Sequence, residues 1–255
     1  QKGKVNLNDG KFVSIVGTRG ASERGKDLTR KLVLDLSRRV DNLTIVSGLA
    51  YGIDVAAHKA ALEAGIPTII IPGHGLDRIY PLPNRQVAVE ALKNGGLVTE
   101  YPSETEPEGF RFVERDRLIA ALSDATVVVE SKARGGSLIT ASDAFDYNRS
   151  VFAFPGRPED VNSQGCNQLI RDQKAALIEN ADDLVMAMMW DTKVIETQLA
   201  MAELEDDIDP LAIELVQHLR EKEEDIHINQ LAMEVDGSYQ DVVAQLTYLE
   251  MMGYV

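Results

Sequence analysis

The sequence predicts an α/β fold: a Rossmann-like, doubly wound, mostly parallel sheet followed by a small C-terminal winged-helix-like α module. Three observations predict it. Short apolar runs alternate with longer stretches of helical period through the first 190 residues. Glycine-rich turns follow those runs. An acidic stretch, Glu203–Asp209, ends at Pro210 and precedes three short helical segments.

The strand candidates are Phe12–Val16, Leu43–Val46, Thr68–Ile71, Leu97–Thr99, Thr126–Val129 and Val151–Phe154. Their length and apolar content suit strands buried on both faces. Leu28, Leu32, Leu34 and Leu36 fall in one helical segment, and Ala56, Ala57, Ala60, Ala61 and Leu62 in another. The stretch from Ala181 to Trp190 closes the domain. Pro210, tolerated at a first helical position after an Asp cap, opens the last region. Within it, Leu211–Leu219, Asn229–Val235 and Ser238–Met252 read as helices. The expected division is residues 1–192 as the Rossmann-like domain, 193–209 as an acidic linker and 210–255 as the module.

Composition narrows the function classes. The 255 residues are 44% hydrophobic and 26% charged, an ordinary globular balance. No apolar run approaches the ~20 residues that cross a bilayer, and no basic-then-apolar leader opens the chain. A cytoplasmic location is therefore the expectation. Cys166 is the only cysteine, which excludes an intrachain disulfide and a multi-cysteine zinc site and marks it as a core residue.

A formal charge of −15 is hostile to nucleic acid, whose binding depends on neutralising phosphates. The charge is unevenly spread. Residues 191–255 hold sixteen Asp and Glu against three Lys and Arg, leaving residues 1–190 with a charge of only −2. Nucleic-acid contact is thus expected of the first domain alone.

In an open parallel sheet, ligands collect at the carboxyl ends of the strands. The loops expected there are Gly17-Thr18-Arg19-Gly20, Ser47-Gly48-Leu49-Ala50-Tyr51-Gly52, Pro72-Gly73-His74-Gly75, Arg134-Gly135-Gly136-Ser137 and Pro155-Gly156-Arg157. Any one of these is as readily a tight strand-to-helix turn. A row of them suits an extended phosphate backbone better than a single mononucleotide. Arg19, Arg115, Arg117 and Arg134 supply guanidinium groups in or beside the same edge. Tyr51, Phe110 and Phe112 are placed to touch bases.

These motifs resemble the DprA/Smf family of DNA-processing proteins over most of residues 12–190. The similarity runs through Gly17-Thr18-Arg19 with Ala21-Ser22 and Gly25, then Ser47 to Asp54 with Ala57-His58, then Gly73 to Pro81 with Asn84. It continues through Phe112 to Ser123, Arg134 to Thr140, and Pro155-Gly156 with Ser163, Gly165, Asn167, Leu169 and Ile170. The resemblance implies a DNA-binding edge formed by Gly17, Thr18, Arg19, Ser47, Gly48, Arg115, Arg117, Arg134, Gly136, Ser137 and Asn167. It further implies a homodimer through the Rossmann domain, protection of incoming single-stranded DNA, weaker contact with duplex, and loading of the RecA recombinase in transformation or recombination. The chain departs from the family pattern at Asp116, where Asn is usual, at Val113-Glu114, which replaces a proline-containing pair, and at Lys174-Ala175-Ala176.

Enzymatic readings fit less well, and no catalytic site, metal or cofactor is expected. Gly20 to Asp27 is nearly a Walker loop, but Asp27 stands where a magnesium-binding hydroxyl is needed. Gly17-Thr18-Arg19-Gly20 lacks the Gly-x-Gly start of a dinucleotide site. The closest alternative is a phosphoribohydrolase of the related lysine-decarboxylase-like Rossmann fold. Neither Pro72-Gly73-His74-Gly75-Leu76 nor Pro155-Gly156-Arg157-Pro158 carries its catalytic Glu. Asp54 and His58 lie four apart and read as cap and packing residues rather than a metal pair. The would-be recognition helix, Ser238–Met252, has no Lys or Arg, so major-groove reading is not expected of it.

Overall fold

The computed structural model describes residues 1–4, 6–190, 209–221, 228–235 and 237–251. The acidic linker expected at 193–209 lies outside the described residues except for Asp209, as does Met252. Contacts divide the chain into two compact units, Gln1–Ile195 and Glu196–Val255.

The described residues of the first unit contain strands β1 (Lys2–Gly3), β2 (Lys11–Val16), β3 (Leu43–Ser47), β4 (Thr68–Ile70), β5 (Gly96–Leu97), β6 (Ala125–Val128), β7 (Ser150–Ala153) and β8 (Ala176–Leu177). They form one sheet in the order β1-β5-β4-β3-β2-β6-β7-β8, with β1 antiparallel and the other pairings parallel. The six expected strands all occur within two residues of their expected ends. The sequence does not predict β1 and β8, because a two-residue strand has no alternation to read.

Among the described residues, six α-helices connect the strands and a seventh follows the last: α1 (Glu23–Arg39), α2 (Ile53–Glu63), α3 (Arg85–Asn94), α4 (Gly109–Ala121), α5 (Ser137–Asp146), α6 (Gln164–Arg171) and, after β8, α7 (Ala181–Ala187). Local chemistry sets their ends. Ser22 caps α1 by accepting the Gly25 amide at 3.0 Å, and Arg38 and Arg39 occupy its last turn, where cations suit the helix dipole. Asn180 and Asp183 form a reciprocal capping box on α7.

Alternation along the strands builds a core on each face of the sheet. Val13 and Ile15 of β2 point to the layer of α1, α2 and α7, with Leu32, Leu36, Ala57 and Leu184. Phe12 and Val16 point to the layer of α4, α5 and α6, with Ile119, Ala141 and Leu169. No helix among the described residues is long and apolar enough to cross a membrane.

From β2 the chain builds outward through β3, β4 and β5, then returns to lay β6 on the other side of β2. The loops after β2 and β6 therefore diverge to opposite sides, leaving a crevice at the topological switch point.

The second unit contains α8 (Pro210–Glu221), α9 (Ile228–Glu234) and α10 (Tyr239–Met251). Asp209 accepts the Leu211 amide at 3.0 Å, so it caps a helix that begins with proline. Ala212, Leu215, Leu231, Val235, Val242 and Leu249 form the unit's own core.

Candidate nucleic-acid interface

The crevice at the switch point is a cleft of about 390 Å³. Gly17, Thr18, Arg19 and Gly20 form one wall, Phe112, Arg115 and Asp116 of α4 the floor, and Lys132, Gly135, Gly136, Ser137 and Thr140 the far wall. The first wall passes tightly over its neighbours: a Cβ on Gly17 would lie 2.8 Å from Ile53 Cβ and 2.9 Å from the Glu130 carbonyl oxygen. The Thr18 amide donates to that same carbonyl at 2.7 Å. Arg19 is exposed above the cleft, its guanidinium 5.9 Å from the Phe112 ring.

The far wall is the start of α5. Gly136 stands at its cap position with no side-chain hydrogen bond to the first turn, and a Cβ there would meet nothing within 4 Å. Ser137 is buried and its hydroxyl bonds Ser131 Oγ at 3.0 Å. The Leu138 and Ile139 amides bond the Gly135 and Gly136 carbonyls at 3.1 and 2.9 Å, so no side chain covers this helix start and open space adjoins it, where the positive end of the helix dipole favours an anion.

Arg115 belongs to the cleft floor from a buried position. It is 4% exposed, and Nη1 donates to the carbonyls of Gly48, at 2.9 Å, and Ile71. Nε pairs with Asp116 Oδ1 at 3.1 Å. A Cβ on Gly48 would sit 2.7 Å from the guanidinium, so a side chain there would have to push Arg115 off its carbonyl partners. Arg115 ties the loops after β3 and β4 to α4. Around it, burial raises the Asp54 carboxyl while the Arg115 charge opposes the rise. Burial pushes Asp116 up to about 6, with Arg115 opposing and Asp54 reinforcing. Burial and Arg115 together lower His58 to about 3, so its ring is neutral. Asp54 accepts the Ala50 amide at 3.3 Å, and His58 Nδ1 bonds Thr68 Oγ1 at 2.7 Å. Asp54 thus holds the loop before α2 rather than capping the helix's first amides as expected, and the two side chains serve the fold separately.

The remaining expected residues divide by what they touch. Gly48 joins Arg19, Tyr51, Tyr80, Phe112 and Arg115 around a small recess beside the cleft. Arg134 is exposed next to Gly135 on the far wall. Ser47 is fully buried and donates to the Ile15 carbonyl at 2.6 Å. Asn167 clamps Gly156 through both of its backbone groups, at 2.9 and 3.1 Å. Arg117 is half-exposed and pairs with Glu100. Sequence reasoning missed Lys132, although it lies two residues before Arg134, and it missed Tyr80, which stacks on Phe112 with ring centroids 5.6 Å apart.

Ion pairing sorts the arginines sharply. Those at 30, 38, 39, 78, 111, 115, 117, 149 and 171 are held in ion pairs. Arg19, Arg24, Arg85, Arg134 and Arg157 form none among the described residues, and all belong to loops at the carboxyl ends of the strands or to the first turn of the following helix. The arginines without an ion pair are therefore concentrated on this edge.

One anion position is already filled from within. Glu130, buried after β6, accepts the Ser22 amide at 2.9 Å and the Ser22 hydroxyl, and its carboxylate abuts Gly25. It occupies the amino terminus of α1, where a dinucleotide-binding Rossmann domain would hold its pyrophosphate.

Comparison with known proteins identifies the family. A family profile described as DNA recombination-mediator protein A matches residues 1–189. DNA processing protein DprA of Streptococcus pneumoniae is 40% identical over 185 residues, covering 72% of this chain and 64% of that protein. Protein Smf of Escherichia coli is 34% identical over 248 residues, covering 95% of this chain and 65% of its own length. The chain spans between 40% and 65% of the length of the curated relatives it matches. Among solved structures, DNA processing protein A of S. pneumoniae superposes with a TM-score of 0.68, covering 73% of this chain and 64% of that one. The Helicobacter pylori protein, described for its single-stranded DNA binding mode, superposes at 0.67 with 31% identity, covering 74% of this chain and 85% of that one. With its profile match spanning the whole sheet and its relatives sharing both sequence and fold, the chain belongs to the DNA recombination-mediator protein A family, the DprA/Smf proteins.

Proposed function

We propose that this chain binds single-stranded DNA along the carboxyl edge of its sheet and carries out no chemical step of its own. The observation that carries the reading is the meeting of Arg19 and Lys132, neither in an ion pair among the described residues, with the glycine-rich start of α5 around the switch-point cleft, with exposed Arg134 next in the chain to Gly135 of its lining. Free guanidinium groups and backbone amides suit phosphate oxygens. Tyr51, Tyr80 and Phe112 line the neighbouring recess and offer ring faces to bases without selecting among them. A strand fits this elongated combination better than a mononucleotide does, Glu130 argues against a dinucleotide cofactor by filling the α1 terminus, and the phosphoribohydrolase alternative still lacks its catalytic Glu in the loops at Pro72 and Pro155.

Within this reading Gly17, Thr18, Gly136 and Ser137 contribute backbone approach, while Arg115, Ser47, Gly48 and Asn167 position the loops that carry the contacts. Arg117 joins the edge only if it leaves Glu100. Action as a cytoplasmic homodimer that shelters incoming strands and hands them to a RecA-type recombinase belongs to the same proposal, supported by family membership.

Charge reversal tests it. Arg19→Glu and Arg134→Glu should each weaken single-strand affinity severalfold or more and reduce the salt slope by about 0.7 for each phosphate no longer neutralised. Unchanged affinity and slope in both variants would remove the cleft from consideration.

A further inference from the structure

We propose that Arg24 and Arg157 form a second phosphodiester-binding station, which carries a single strand out of the cleft toward β7. The inference rests on the reading of the cleft as a single-strand site and adds to it the path beyond. Arg24 lies in the first turn of α1, and Arg157 follows Pro155-Gly156 at the end of β7. With Asp160 they line one broad, open depression of about 730 Å³. Both arginines are exposed, and among the described residues neither has an ion pair. Attraction here comes from the two guanidinium groups, since Glu130 already occupies the amino end of α1.

The carboxylate sharing the depression is engaged in its own turn: Asp160 Oδ1 accepts the Asn162 amide at 3.3 Å and Oδ2 accepts the Ser163 hydroxyl at 3.2 Å. The only acid in the first turn of α1, Glu23, is paired with Lys26 at 2.6 Å.

Topology makes the station continuous with the cleft. β2, β6 and β7 are successive neighbours, so their loops follow one another along the edge at roughly 4.8 Å per strand, about 10 Å from first to last. Asn162 Nδ2 donates to the Gly20 carbonyl at 3.1 Å, tying the loop after β7 to the loop after β2. Gly20 itself has empty space where a side chain would stand, which leaves a low saddle between the two basic regions.

The test uses the whole chain and two oligothymidylates, of roughly 2 and roughly 20 nucleotides, the shorter too short to reach from the cleft to the station and the longer able to overrun it. Arg24→Glu combined with Arg157→Glu should lower affinity for the longer strand roughly tenfold and cut its salt slope by about 1.4, corresponding to two phosphates. Binding of the shorter strand should not change. Arg24→Gln with Arg157→Gln should give a smaller loss of the same pattern, and the melting temperature should hold in both. Unchanged affinity and slope on the longer strand, or an equal loss on both lengths, would overturn the station while leaving the cleft intact. The cleft reading is judged separately by Arg19→Glu, which should weaken both lengths. If it weakened neither, the cleft and the station that depends on it would fall together.

Discussion

Glu130 and Ser22, 108 residues apart in the chain, meet where α1 begins: the glutamate accepts both the amide and the hydroxyl of the serine. Ser22 in turn accepts the Gly25 amide, so β6 and α1 are joined by one relay of charge-assisted hydrogen bonds. Glu130→Ala should cost about 1–3 kcal/mol and Ser22→Ala about 1 kcal/mol. Urea unfolding of both single variants and the double variant checks this. The double variant should lose less than the two losses added together, because they remove a shared bond.

Arg115 and Arg19 line the same cleft but should fail in opposite ways. Truncating Arg115 to Ala leaves Gly48 and Ile71 carbonyls unpartnered and Asp54 and Asp116 buried without their cation, at a cost of about 3–5 kcal/mol. Lysine should not restore it, having no planar fork to reach several oxygens. Thermal melting combined with strand binding separates the cases: Arg115→Ala loses stability, whereas Arg19→Glu loses affinity alone.

Asp116 should make strand binding depend on pH. Its carboxyl, pushed up to about 6 by burial and by Asp54 against the pull of Arg115, is negative in the cleft at pH 7.5 and neutral at pH 5. Affinity should therefore tighten as pH falls through 6. The stability sign is the same: a carboxyl raised above its unfolded value near 4 favours the folded chain increasingly as pH drops from above 6 toward 4. Asp116→Asn should bind like the protonated form and flatten the profile. An identical pH profile in that variant would exclude Asp116 as the source.

Cys166 should be inert to thiol reagents in the folded chain. It is fully buried, and burial pushes its thiol up to about 12, so almost no thiolate exists at neutral pH. Ellman's reagent should label it only in denaturant, and rapid labelling of the native chain would contradict this burial.

The sheet was largely legible in the sequence because its strands are short apolar runs with glycine punctuation, and Asp209 caps its helix as the following proline suggests. The loops of the site were legible for the same reason. What the sequence concealed was where long side chains point. Arg115 and Arg117 look alike on paper, yet one turns inward to two loop carbonyls and the other outward to Glu100, seventeen residues away. Glu130 carries no local mark of its partnership with Ser22, since only the crossover from β5 to β6 brings them together. Arg24 reads as one more helix-surface cation until the missing ion pair beside Arg157 becomes visible.

The grip of Arg115 on the loops after β3 and β4 exists before any ligand arrives. That half of the receptor is rigid in advance, so capture should require little rearrangement and little ordering entropy there. Association should consequently run at a rate governed by electrostatic encounter, slowing steeply with added salt, rather than by a slow conformational step.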